Sequence, residues 1–105
     1  MNMFLEDSSK HAYMRIVHTD GFIESTIISE IPDNASLERI MGGSFYCSHG
    51  FLQDSLCDIL VVKNQETKKL RKNPFVTTMR KKAGINESVF GIAIVFQNIP
   101  YNTLI

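Results

Sequence analysis

The sequence predicts an α+β fold: a small single domain with a mostly antiparallel sheet of about five to six strands and two short helices. Three observations carry this reading. Short β-prone runs recur along the chain, and an Asp20-Gly21 pair separates the first two of them. Two short amphipathic stretches have helix-start residues before them and glycine after them. At 105 residues, 44% hydrophobic and 21% charged, the chain is too short for two ordinary domains and too apolar for a disordered tail. A domain of this size buries most of its apolar surface without disulfide or metal staples.

Residues 1–10 are polar and irregular and read as a flexible leader to a single domain over 11–97. Tyr13–Thr19 and Phe22–Ser29 flank Asp20-Gly21 and predict a hairpin closed by a type I′ turn, which requires positive φ at both central residues. Neither strand has a cleanly polar side, so both faces of the sheet are expected to be partly covered. Pro32-Asp33-Asn34 supplies turn and N-cap chemistry for a short helix. Leu37, Ile40 and Met41 share one of its faces, and Gly42-Gly43 ends it. Ser44–His49 reads as a strand, Gly50–Ser55 as a connection and Leu56–Lys63 as a buried strand. Asn64–Thr67 then reads as a turn and Lys68–Arg71 as a short return strand. The second helix is the best punctuated, with Asn73 as N-cap, Pro74 at the first helical position and Gly84 at C′. Its apolar stripe is Phe75, Val76, Met79 and Ala83, while Arg80, Lys81 and Lys82 oppose the negative end of its dipole. Ser88–Gln97 predicts a central strand, and 98–105 an irregular C-terminal tail.

Eleven Lys/Arg balance eleven Asp/Glu, which excludes a generic polycation. The balance hides an asymmetry. Residues 1–58 hold nine acids against three bases, net −6, and residues 59–105 hold eight bases against two acids, net +6. The start of the chain lacks a basic leader with an apolar run, and no window approaches the roughly twenty apolar residues of a spanning helix. Two cysteines do not make a disulfide framework. A cytoplasmic protein, in the host cytoplasm if viral, with no membrane partner is the expectation.

From Met14 to about Gln97 the order of motifs resembles a known family. A hairpin leads into Leu37-Glu-Arg-Ile-Met-Gly-Gly43 and the aromatic strand at Phe45-Tyr46. Ile59-Leu-Val-Val-Lys-Asn64, Leu70-Arg-Lys-Asn-Pro-Phe-Val-Thr77 and Val89-Phe-Gly-Ile-Ala-Ile-Val95 follow. This order is similar to domain-of-unknown-function family 3846, common in phage and mobile-element genomes. The chain departs from the family pattern at Phe75-Val76, where an Arg-Ala type dipeptide is more usual. The resemblance implies an accessory protein of a phage or mobile element, with a role against host defence, and no assigned chemistry.

Catalytic and metal patterns are thin. Cys47-Ser-His49 with Cys57 and His18 offers one close Cys-His pair, whereas zinc sites present recognisable close pairs such as C-x₂-C. A Cys47 or Cys57 nucleophile paired with His11, His18 or His49 would need an activated thiolate, and neither cysteine stands at an evident helix N-terminus. Asp54 and Asp58 flank a strand start and read as solvated. Gly42-Gly43 lacks the phosphate-loop pattern. The expectation is a non-enzymatic protein without metal or cofactor.

One segment stands above background. Eight of the eleven bases lie in Lys63–Lys82, next to the start of the second helix, where free backbone N–H groups favour an anion. The candidate anion ligands are Lys68, Lys69, Arg71, Lys72, Asn73, Thr77, Thr78 and Arg80. Phe75, the one aromatic near them in sequence, is assigned to the core. The bland reading is a solvated face that keeps the protein soluble. The functional reading is binding of a phosphorylated nucleotide or signal. Two alternatives stand beside it: a host-protein-binding inhibitor using the acidic half (Glu24, Glu30, Asp33, Glu38), and a nucleic-acid-binding regulator using Lys63–Lys82. A homo-oligomer is a further expectation, because small ligands often sit between subunits.

Overall fold

The computed structural model describes residues 11–63 and 69–98. The predicted leader 1–10, the turn at 64–67 and tail residues 99–105 lie outside the described residues. Strands β1 (Ala12–Val17) and β2 (Ile23–Ile28) form the first hairpin, and helix α1 (Asn34–Met41) follows. Strands β3 (Phe45–Leu52) and β4 (Ser55–Val62) form a second hairpin, and helix α2 (Pro74–Lys81) leads into β5 (Ala93–Gln97). The five strands lie in the order β2-β1-β5-β4-β3, with every neighbouring pair antiparallel. The α+β prediction therefore holds, with five strands and two helices among the described residues.

The helices cover opposite faces of the sheet. In β4, Cys57, Ile59 and Val61 pack with Val17, Ala93 and Val95 beneath Val76 and Met79 of α2. The intervening Leu60 and Val62 pack with Met14, Ile94 and Phe96 beneath Leu37 and Met41 of α1. This is the period-2 alternation of a strand, with both faces buried. It explains why β4 and β5 read as continuous apolar runs rather than as alternating ones.

The boundaries differ from the sequence reading in four places, each for a local reason. The first hairpin does not close with a type I′ turn: only Gly21 has positive φ, at 95°, and Asp20 does not. The Gly21 N–H donates to His18 C=O and the His18 N–H to Phe22 C=O, a three-residue loop in which glycine takes the left-handed bulge position. The predicted Gly50–Ser55 connection is mostly strand, because β3 and β4 run on to a two-residue turn at Gln53-Asp54. Lys68–Arg71 is not a strand among the described residues: Lys69 has φ +55°, and pairing begins only with an isolated bridge from Lys72 to Phe90. The last strand is half its predicted length, since Gly91 at φ +84° breaks the extended run.

Helix punctuation matches the reading closely. Asp33 caps α1 through a hydrogen bond from Ser36 N–H, and Asn73 caps α2 through one from Val76 N–H. At the far end of α2 the Ile85 N–H donates to Arg80 C=O and the Gly84 N–H to Lys81 C=O, the paired bonds of a Schellman stop with Gly84 at C′. The helix approaches β3 unusually closely at Gly50, where a Cβ would lie 2.7 Å from the Met79 backbone.

Candidate functional site

The start of α2 positions the site. The Asn73 side chain is fully buried and uses both ends: Oδ1 caps the helix, and Nδ2 donates to Val17 C=O at 3.1 Å and Gly91 C=O at 3.0 Å. One residue thus fastens α2 to β1 and to the segment before β5. Pro74 has no N–H, the Val76 N–H is capped, and the Thr77 N–H donates to Asn73 C=O. The first turn therefore presents an anion with far fewer free donors than a bare helix start would.

The seven predicted anion ligands among the described residues do not converge. Lys68 lies outside the described residues. Lys69, Arg71 and Lys72 are exposed, and the latter two alternate along an extended segment, so they bracket the approach to α2 instead of forming a single fork. Asn73 is committed as above. Thr77 Oγ1 donates to Asn73 C=O and accepts from Val89 N–H, both at 2.8 Å. Thr78 Oγ1 donates to Pro74 C=O and remains exposed. Arg80 is buried near the other end of the helix: Nε donates to Ser48 Oγ at 3.0 Å and Nη2 meets Glu87 Oε1 at 3.5 Å, while Nη1 has no hydrogen-bond partner.

Phe75 is the main surprise. The helix pattern assigns it to the core, yet it is 46% exposed. The buried face of α2 is centred on Val76, Met79 and Arg80, which leaves Phe75 about a quarter-turn off, at the flank. Its ring rests on Gly21 of the β1–β2 turn, where a Cβ would sit 2.6 Å from the ring.

Beside Phe75 a groove of about 400 Å³ opens between α2 and the sheet. Val17, Ile23 and Val95 line it from the strands, with Leu52 from the end of β3. Pro74, Phe75, Thr78 and Met79 line it from the helix. Among the described residues that line it, Arg15 is the one charged side chain. The guanidinium is held in place: Nε donates to Gln97 Oε1, Nη1 donates to Ser25 Oγ at 2.7 Å, and the group lies 4.8 Å from the centre of the Tyr13 ring. An apolar slot with one oriented cation, and further exposed cations just before the helix, suits an apolar body carrying negative charge.

The other candidates are dispersed. Cys47 and His49 lie on the α1 face of β3, whereas Cys57 is buried on the α2 face of β4. Desolvation, with the Asp58 carboxylate second, raises the Cys47 thiol pKa, and desolvation by burial raises that of Cys57. Both shifts oppose thiolate formation. His18 bonds Glu24 at 2.6 Å. Among the described residues, no group of three or more His, Cys, Asp or Glu could hold a metal ion. The acidic set, Glu24, Glu30, Asp33 and Glu38, is exposed throughout, with Glu24 bonded to His18 and Asp33 committed to its helix cap. No helix among the described residues is long and apolar enough to cross a membrane.

Comparison of the chain with known protein families, with curated proteins and with solved structures finds no match.

Proposed function

We propose that the protein is a non-enzymatic binding protein that takes a phosphorylated nucleotide or signal at the start of α2. The observation that carries this reading is the exposed Phe75: it borders the apolar groove and follows the exposed cations Arg71 and Lys72 by a few residues. A planar base fits the apolar slot against Phe75, and the phosphates fall toward Lys69, Arg71 and Lys72 or toward Arg15. Among the described residues the anion ligands narrow accordingly to these four cations and Thr78, with Asn73, Thr77 and Arg80 acting as framework. The order of motifs supports an accessory role in a phage or mobile element, acting in the host cytoplasm against a defence system.

Calorimetric titration with ATP, and with inorganic phosphate as a separate arm, tests the reading. Binding of ATP should weaken at least about tenfold in Phe75→Ala and in Arg71→Ala/Lys72→Ala, with phosphate alone binding more weakly than ATP. A protein that binds none of the four common nucleoside triphosphates, and releases no nucleotide on heating after purification from cells, would overturn it.

A further inference from the structure

We infer that the outer edge of β2 pairs with the same edge of a second copy of this chain, antiparallel and centred on Ser25, independently of the ligand reading above. β2 ends the sheet, and among the described residues no strand pairs with its outer side. The residues of β2 itself supply none of the usual guards. The strand has no proline, no lysine and no break in its register with β1, and its one charge, Glu24, is bonded to His18 of its own hairpin.

The hydrogen-bond alternation fixes which groups are on offer. His18 and Phe22 are joined by a hydrogen bond at the closed end of the hairpin, so Glu24, Thr26 and Ile28 turn their amide groups toward β1. Ile23, Ser25 and Ile27 therefore turn theirs outward. A two-fold axis through Ser25 sets Ser25 opposite the partner's Ser25 and Ile23 opposite the partner's Ile27. All three outward residues then form hydrogen-bonded pairs, about six bonds in all. A two-residue shift sets Ile23 opposite Ser29, beyond the end of the strand, and loses part of the ladder.

Side chains agree with that register. Ile23 and Ile27 share the α2 face, are 46% and 58% exposed, and would cover each other twice across the axis. On the other face Phe22, 61% exposed, meets the partner's Ile28, and Glu24 meets the partner's Thr26, so no like charges stand opposite. Because Ile23 also lines the groove, the partner's Ile27 extends the groove wall. Each ligand site would then include a residue from both copies.

Sedimentation and a cysteine ladder test this on the full chain in a Cys47→Ser background. The chain should sediment as a dimer, and Ser25→Cys should oxidise to a covalent dimer. Ile23→Cys and Ile27→Cys should not, since each residue would lie about 13 Å along the strand from its own copy. Ile27→Pro, tolerable where an edge N–H faces outward, should weaken association at least about tenfold with the circular dichroism spectrum retained. Ile27→Lys is the second variant should proline unfold the chain. A monomer at every concentration, cross-linking at 27 in preference to 25, or dimers undiminished by a folded Ile27 variant would overturn the inference.

Discussion

Helices α1 and α2 are alike in length and punctuation and unlike in what their caps hold. Each has eight residues, an Asp or Asn cap accepting the N–H three residues on, and a glycine with positive φ beyond its C-terminus. Asp33 is exposed and, among the described residues, its side chain bonds within its own turn. Asn73 is buried and also satisfies two backbone carbonyls, one before the first hairpin turn and one before β5. The same local signal thus serves as plain punctuation on one face of the sheet and as a tertiary fastener on the other. The fastened helix is the one that overhangs the groove.

Substitution at the caps should separate these roles most sharply. Asn73→Ala removes the cap and strands two buried carbonyls, and should cost about 3–5 kcal/mol in urea unfolding. Asn73→Asp should not rescue it: a carboxylate still caps, but it offers the Val17 and Gly91 carbonyls no donor. Asp33→Asn, by contrast, should leave stability at pH 7 close to that of the parent chain, since either side chain accepts from Ser36 N–H.

Gly50→Ala should come next. Its Cβ would meet Met79 backbone, which cannot swing aside as a side chain would, so α2 must lift from β3 at about 1–3 kcal/mol. A matching change at an exposed position of α1 has no such contact to lose.

Asp33→Ala should cost less than either Asn73→Ala or Gly50→Ala, and its effect should depend on pH. The hydrogen bond from the Ser36 backbone N–H lowers the Asp33 pKa below its ordinary 3.8. The folded state therefore favours the ionised carboxylate, and its contribution is complete above that ordinary value. It is lost as the pH falls through the lowered folded value. The stability gap between Asp33→Ala and the parent should be present at pH 7 and close in strong acid, as followed by thermal unfolding against pH.

What was legible in the sequence was local chemistry. Caps and helix stops at Asp33, Gly42, Asn73 and Gly84 stand in the structure where their residue types place them, because each needs only a few neighbours. The β3–β4 turn was hidden because Gln53 takes φ +57° without being glycine, so nothing in its residue type announced it. Of the residues the sequence singles out for the site, Lys69, Arg71, Lys72 and Thr78 are exposed around the start of α2, whereas Asn73, Thr77 and Arg80 are committed to internal hydrogen bonds. Counting Arg80 as solvated charge tilted the apparent apolar stripe of α2 toward Phe75, whereas burial of Arg80 against Ser48 rotates the true face the other way. The groove itself is tertiary: Arg15, Ile23, Leu52 and Val95 come from four strands, and no spacing along the chain links them.

In the proposed function the α2 face binds and the α1 face supports. Backbone amide NMR shifts of the full chain during titration with ATP test it most directly. Saturable shifts are expected at Lys72, Phe75 and Thr78 together with Arg15 and Ile23, and unmoved signals at Leu37, Met41 and Cys47. Shifts clustered on the α1 face, or no saturable shift anywhere, would contradict it.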